Sequence, residues 1–257
     1  MVMRHAKGQS SSMLEEPPIG LLSGASLFLD FDGTLVDLAP TPNSIQVDGA
    51  LTSLLERLGD RLDGRLAIVS GRAVKDVRSY LHPVGLAVAG SHGLEHARHG
   101  CDPTDVERPE TLDRVIDELR LLEAAHPGVL IEEKLLGVAL HYRQAPHAEE
   151  VCRSAADHAA EATGLEVQPG KLVFELKPAG ADKGRALYRF MEQPPFAGTR
   201  PIFLGDDLTD EHGFEAAREL GGAGVLVGDE RRTAALYRLP GVSAVKRWLD
   251  AAAEALA

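Results

Sequence analysis

Three short apolar runs in this chain each stop abruptly at a polar cluster, and that pattern restricts the fold more than any other feature. Leu27-Phe28-Leu29 runs into Asp30-Phe31-Asp32-Gly33-Thr34, Leu66 to Val69 into Ser70-Gly71-Arg72, and Ile202-Phe203-Leu204 into Gly205-Asp206-Asp207. An apolar run with no polar alternation reads as a strand buried on both faces, the kind found in parallel sheets. In open α/β sheets, ligands bind beyond the carboxyl ends of the strands. Side by side, these strands would bring their polar ends to one edge.

The rest of the pattern fits an α/β fold. Leu51, Leu54, Leu55 and Leu58 follow helical spacing, Val74 and Val77 suggest a short helix, and Leu86 to Ala89 reads as a further strand. The middle of the chain has another texture. Leu112, Val115, Ile116, Leu119 and Leu122 mark an amphipathic helix, and a second helix runs from about His147 to Thr163. Val129 to Lys134, Val138 to Arg143, Leu165 to Gln168 and Leu172 to Leu176 read as half-exposed strands pairing as neighbours. After Lys177-Pro178 the α/β rhythm returns, with a helix from Lys183, another up to Leu220, a strand at Val225 to Val227, and a last helix carrying Val245, Trp248 and Leu249. The expectation is a Rossmann-like core with a parallel sheet, residues 23–105 and 178–257, interrupted by an inserted α+β cap, residues 106–177. Residues 1–22, rich in Ser, Pro and polar residues, read as a flexible tail.

Composition narrows the partners. The 257 residues carry 39 Asp and Glu against 27 Lys and Arg, a formal net charge of -12, with no basic run. Such a chain repels a nucleic-acid backbone. A phosphorylated small molecule would also be repelled at long range, so its site needs local positive charge from side chains, helix N-termini or a metal ion. Only Cys101 and Cys152 are present, which suits a reducing cytoplasm rather than a disulfide scaffold. No apolar stretch approaches the ~20 residues of a membrane span. Arg4, His5 and Lys7 precede no apolar segment, so no signal peptide is expected. The sequence points to a cytoplasmic monomer that acts on a small molecule, with no nucleic-acid or membrane partner.

The chemistry lies in the polar clusters. Asp30 and Asp32 are close enough to repel, so ionising both implies a cation or a shared proton. Asp206 and Asp210 add carboxylates, with Asp207 between them. Hard oxygen ligands without a His or Cys cluster favour Mg²⁺, and a cation there would shield an incoming phosphate. Asp30 is the candidate nucleophile, forming an aspartyl-phosphate. Asp32 would protonate the leaving alcohol and then take a proton from water. Gly33 lets the chain turn tightly, and Thr34 offers a hydroxyl and a backbone N–H. Ser70, ahead of a helix, offers donors to phosphate oxygens. Lys183 would neutralise charge on the transferring phosphoryl group.

Each piece alone has a plainer explanation. A lone Asp-x-Asp is usually a solvated turn, Ser70-Gly71 a strand-to-helix corner, Lys183 a surface lysine, and Asp206 a helix cap. The occurrence of all four, in this order and at strand ends, favours the catalytic reading.

Order and wording resemble the haloacid dehalogenase superfamily. Asp30 to Thr34 matches its Asp-x-Asp-Gly-Thr motif, Ser70 its second motif, Lys183 its third, and Gly205-Asp206-Asp207-Leu208-Thr209-Asp210-Glu211 its acidic fourth. The resemblance implies Asp30 as nucleophile, Asp32 as acid/base, and a Mg²⁺ held by Asp30, Asp32 and Asp206, with Asp207 and Asp210 supporting. Further motifs narrow it. Ile68-Val69-Ser70-Gly71-Arg72, Gly90-Ser91-His92-Gly93-Leu94-Glu95 and Ala139-Leu140-His141-Tyr142-Arg143, with the acidic cluster, are similar to trehalose-6-phosphate phosphatases from about Leu27 to Trp248. In that family an acidic-x-Lys pair and a later Glu on the cap grip the sugar. They map onto Glu132, Lys134 and Glu175.

On a strand, Glu132 and Lys134 share a face, as do Glu175 with Lys177 and His141 with Arg143. Glu132, Lys134, His141, Arg143 and Glu175 are candidates for sugar binding together with Gly71, Arg72 and His92. The plainer alternative is the wet face of an ordinary sheet, with His92 fixing a loop and His141 packed locally. The expected reaction is hydrolysis of trehalose 6-phosphate, the last step of trehalose biosynthesis, under a closing cap. Rivals are a phosphatase of sucrose phosphate or of a mannosyl- or glucosyl-phosphoglycerate, and a non-catalytic sugar-phosphate sensor.

Overall fold

The computed structural model describes residues 14–39, 45–81, 85–102, 108 and 110–256. In chain order the elements are β1 (Ala25–Leu29), α1 (Gly49–Arg61), β2 (Leu66–Val69), α2 (Val74–Tyr80), β3 (Ala87–Gly90) and β4 (Glu95–Ala97). Then come α3 (Thr111–Ala125), β5 (Leu130–Glu133), β6 (Val138–His141), α4 (Glu149–Thr163), β7 (Glu166–Gly170) and β8 (Val173–Lys177). The chain ends with α5 (Lys183–Met191), β9 (Arg200–Gly205), α6 (Glu211–Glu219), β10 (Ala223–Val227), β11 (Tyr237–Leu239) and α7 (Val242–Ala255).

A seven-stranded sheet runs in the order β11-β10-β9-β1-β2-β3-β4. All its pairings are parallel except β3 with β4. The three apolar runs are therefore neighbours, β9-β1-β2, in the middle of the sheet. Successive side chains on a strand point to opposite faces, and both faces are buried here. Leu27, Leu29, Leu66, Ile68, Ile202 and Leu204 join one cluster with Leu51, Leu55 and Leu58 of α1 and Val245, Trp248 and Leu249 of α7. Phe28, Ala67, Val69 and Phe203 join the other, with Leu187 and Phe190 of α5 and Phe214 of α6.

Between the two halves of this sheet, the chain folds a separate four-stranded sheet, β5-β6-β8-β7, antiparallel throughout. One face packs on α3 and α4 through Ile131, Val138, Leu140, Phe174 and Leu176 against Leu112, Val115, Ile116, Leu119, Cys152 and Ala156. The other face is polar. Its register aligns Glu132, Ala139, Glu175 and Gln168 in one row across four strands. This is the expected parallel-sheet core with an inserted α+β cap.

The expected flexible tail, residues 1–22, is described only from Leu14 onward. Residues 1–13 lie outside the described residues. From Leu14 the chain is packed: a 3₁₀ turn at Ile19–Leu22 buries Leu21 and Leu22. Arg238 N–H donates to the Glu15 carbonyl at 2.9 Å, and Trp248 Nε1–H to the Pro17 carbonyl at 2.9 Å. The Leu pair completes the core cluster under α7, which outweighs the polar local composition. Strands β4 and β11, three residues each, are too short to show as a pattern in the sequence.

Candidate active site

The site forms where β1, β2 and β9 end. Asp30 follows β1 directly, and its backbone N–H donates to Leu204 O on the adjacent β9 at 2.9 Å. After Phe31 fills the core, the chain turns at Gly33 (φ 80°), a left-handed conformation that favours glycine. Space demands glycine as well: a Cβ there would lie 2.2 Å from Asp206 Oδ2. Gly33 thus lets the loop after β1 lie against the loop after β9.

Lys183 is not a surface lysine. It opens α5, 4% exposed, and its Nζ donates to Asp30 Oδ1 at 2.7 Å and Asp210 Oδ1 at 2.6 Å. Against the pull of burial, Asp210 and Asp30 hold its pKa well above the ordinary lysine value. Carboxylate oxygens of Asp30, Asp206 and Asp210 all lie within 4.8 Å of one another. Burial pushes Asp30 well above the carboxylate range, and Asp210 and Asp206 add to the rise against Lys183. Burial and then Asp210 push Asp206 up to about 7. Three carboxylates and one ammonium carry a formal charge of minus two, the deficit a divalent cation would fill. The donors are all oxygen, so the set fits a hard cation.

The acidic loop splits its labour in a way the sequence left open. Asp207, not Asp206, caps the turn that follows. Its carboxylate accepts from Leu208 N–H at 2.6 Å, while Asp207 N–H donates to Asp210 Oδ2 at 2.9 Å. Asp206 is left free for the cluster. Asp32 is not part of the cluster. Arg72 grips it in a fork, Nε to Oδ2 at 2.7 Å and Nη2 to Oδ1 at 2.9 Å. The guanidinium lies 5.6 Å from the Tyr80 ring centre and 6.0 Å from that of Phe31. Of the five carboxylates expected around a cation, the structure therefore gathers Asp30, Asp206 and Asp210. The side chains of Asp32 and Asp207 are engaged elsewhere. Thr34 is fully buried, and its Oγ1 has no hydrogen-bond partner among the described residues. Ser70 Oγ accepts from Arg72 N–H at 3.1 Å.

Opposite these groups stands the polar face of the cap. A cavity of about 260 Å³ lies between them. Asp30, Asp32, Ser70, Gly71, Arg72, His92, Lys183, Asp206 and Asp207 line it from the core, and Glu132, Lys134, His141, Arg143 and Glu175 from the cap. Glu133, the neighbouring acid, belongs to the other side, where Arg108 and Arg120 bind it at 2.8 and 3.3 Å. Lys134 Nζ donates to Glu175 Oε1 at 2.5 Å, and His92 Nε2 of the core lies 3.0 Å from Glu175 Oε2. Against burial, His92 and Lys134 hold Glu175 well below the usual carboxylate range. Burial lowers the pKa of His92 against the opposite pull of Glu175. Glu132 pairs with His141 Nε2 at 2.7 Å, and against burial this bond lowers its pKa. Arg143 Nη1 donates across to Ala39 O of the core at 3.1 Å.

The cavity also has walls that sequence reasoning missed: Leu38, Ala39, Gln168, Gly170, Lys171, Val173 and Thr209. Gln168 shares the cross-strand row of Glu175, but only the β7–β8 register reveals it. Lys177, two residues after Glu175, turns instead to the Ala181 carbonyl at the exit from the cap. Among the described residues no helix is long and apolar enough to cross a membrane.

Comparison with known proteins places this geometry. A trehalose-6-phosphate phosphatase of Escherichia coli (strain K12) is 38% identical over 231 residues, 89% of this chain and 86% of that protein. A solved trehalose-6-phosphate phosphatase related protein superposes with a TM-score of 0.76 at 28% identity, covering 88% of this chain and 95% of its own. A phosphatase of the haloalkanoate (HAD) superfamily from Bacteroides thetaiotaomicron shares the fold, with a TM-score of 0.60 at 16% identity over 93% of this chain and 97% of its own. The model of the family described as trehalose-phosphatase matches residues 28–243. With an acid-rich strand edge under a polar cap, and with these relatives, the chain belongs to the trehalose-phosphatase family.

Proposed function

We propose that this chain hydrolyses trehalose 6-phosphate to trehalose and inorganic phosphate, with Asp30 as the nucleophile. The observation that carries the reading is the position of Asp30. It is a buried carboxylate, bonded to Lys183, on the floor of a cavity roofed by the charged face of the cap. In the first step Asp30 attacks phosphorus and the bond from phosphorus to the sugar oxygen breaks. Asp32 donates a proton to that oxygen. In the second step water attacks the aspartyl-phosphate, Asp32 takes its proton, and phosphate leaves Asp30 restored. Lys183 and donors at Ser70 sit where charge builds on the phosphoryl oxygens.

Asp32 has both oxygens bound by Arg72, so proton delivery requires that pair to open. The rings of Phe31 and Tyr80 keep the guanidinium at the cavity wall when it turns to the substrate. Asp30, Asp206 and Asp210 would hold Mg²⁺, whose charge offsets that of the carboxylates and of the phosphate. The cap, taken as residues 106–177 between core segments 23–105 and 178–257, supplies Glu132, Lys134 and Glu175 for the sugar hydroxyls. Charged hydrogen bonds of this kind are the stronger ones.

Phosphate release is the test, assayed with and without Mg²⁺ on trehalose 6-phosphate, sucrose phosphate, glucosyl-phosphoglycerate and p-nitrophenyl phosphate. The reading expects Mg²⁺-dependent release, fastest from trehalose 6-phosphate. A higher kcat/KM on another sugar phosphate would reassign the substrate, and no release from any would leave a binding protein.

A further inference from the structure

The segment Gly90–Glu95 is only half used by the reaction above. His92 reaches the cavity, whereas Glu95 lies behind it, 4% exposed, at the start of β4. Glu95 Oε2 accepts two hydrogen bonds, one from Ser91 Oγ at 2.7 Å and one from the backbone N–H of Val74 at 3.2 Å. These donors stand at the ends of two loops that leave adjacent strands, Val74 as the first residue of α2. One, after β2, carries Ser70, Gly71 and Arg72. The other, after β3, carries Ser91 and His92.

The loops are held very close. Ser91 N–H donates to Arg72 O at 2.8 Å, and His92 N–H to Ser70 O at 3.1 Å. A Cβ on Gly90 would lie 2.5 Å from Val74 N, and one on Gly71 2.7 Å from His92 Nε2. Ser91 (φ 49°) and His92 (φ 55°) are both left-handed without being glycine. Such strain persists only where the surroundings over-determine it, and it gathers at functional sites. A buried carboxylate answered, among the described residues, by a hydroxyl and an amide is a costly way to fill a core. Its placement where both loops meet gives it another use.

We infer that Glu95 is a positioning residue. Through Ser91 it fixes the strained turn that sets the His92 ring over Gly71 and against Glu175, and its bond from Val74 N–H holds the carboxylate in place for that. The inference rests on the phosphatase reading of the site. Glu95 touches no reacting atom; it acts on the sugar end of the cavity through His92.

The test is a double-mutant cycle in the full chain with Mg²⁺, using Glu95→Gln, Ser91→Ala, His92→Ala and their pairs with His92→Ala. Turnover of trehalose 6-phosphate and of p-nitrophenyl phosphate is measured, with thermal midpoints alongside. Glu95→Gln is expected to raise KM for the sugar phosphate roughly tenfold and to change kcat less than about threefold. Ser91→Ala should reproduce this with Glu95 still on Val74 N–H. Either change made on top of His92→Ala should cost less than about twofold more. The inference is overturned if the losses multiply with that of His92→Ala, or if Glu95→Gln lowers the thermal midpoint while KM stays unchanged. Should Glu95→Gln fail to fold, the Ser91→Ala cycle decides by the same criteria. Wild-type turnover tests the substrate reading separately. If it is nil, the His92 ring resonances, assigned by their loss in His92→Ala, replace KM. A shift in Ser91→Ala then supports the inference, and unchanged resonances overturn it.

Discussion

The core and the cap both offer charge to the same cavity, but they prepare it differently. In the core, charges sit at the ends of parallel strands and are almost wholly enclosed: Asp30 and Lys183 are 4% exposed and Asp210 0%. They form an acid-rich cluster whose repulsion is only partly relieved by one lysine. In the cap, charges lie on one face of an antiparallel sheet and already satisfy one another, Lys134 with Glu175 and Glu132 with His141. The core therefore holds unrelieved charge for a reaction, and the cap holds exchangeable hydrogen bonds for a ligand. Chemistry and selectivity can then be separated by mutation.

The largest separation is expected at Asp30. Asp30→Asn should lower kcat at least ~10⁴-fold on every phosphate ester, because it removes the carboxylate that attacks phosphorus whatever the leaving group. Comparable loss on the sugar phosphate alone would move the chemistry out of the core. Chelation of Mg²⁺ should act in the same indiscriminate way, abolishing turnover of sugar and aryl phosphates together, and added Mg²⁺ should restore both.

A smaller and selective effect is expected from the cap. Glu175→Ala leaves Lys134 and His92 without their shared partner. It should lower kcat/KM for trehalose 6-phosphate about 10²-fold and for p-nitrophenyl phosphate less than about threefold. Equal losses on the two substrates would dissolve the distinction between the regions.

The division of labour was legible in the sequence where a pattern was local. The apolar runs before Asp30, Ser70 and Asp206 identify buried strands, and alternation from Val138 to Arg143 identifies a one-sided sheet. What stayed hidden depends on partners distant in sequence. Nothing near Lys183 says that it is buried; packing of α5 against the sheet and α6 decides that. Adjacent acids Asp206 and Asp207 look alike until the loop turns one into a cap and the other into the cluster. Leu21 and Leu22 follow a proline pair and read as tail, yet the distant Trp248 anchors that segment. Glu95 sits inside a motif visible in the sequence, but its bond to Val74 requires β4 and α2 to be neighbours.

The smallest expected effect separates the regions by acid. Burial and then Arg189 lower His96, in the core, from 6.5 to about 4. The unfolded chain then binds a proton that the folded chain refuses. Stability should fall as pH drops from about 6.5 to about 4, then level off for this group. For Glu132 and Glu175 in the cap, folded pKa values lie below the ordinary 4.5. Their contribution is present above 4.5 and is lost only as pH falls further, through the folded values. Urea unfolding between pH 7 and 4.5 should thus become flatter in His96→Asn and keep its slope in Glu132→Gln. The opposite assignment would place the first acid-sensitive group in the cap.

The central claim is that Asp30 itself carries the phosphoryl group. Rapid acid quench during turnover of trehalose 6-phosphate with Mg²⁺, followed by peptide mass mapping, tests it directly. The account predicts a phosphorylated peptide containing Asp30, formed within one turnover and absent from Asp30→Asn. Full turnover with the phosphate never found on the protein, or found on another residue, would contradict it.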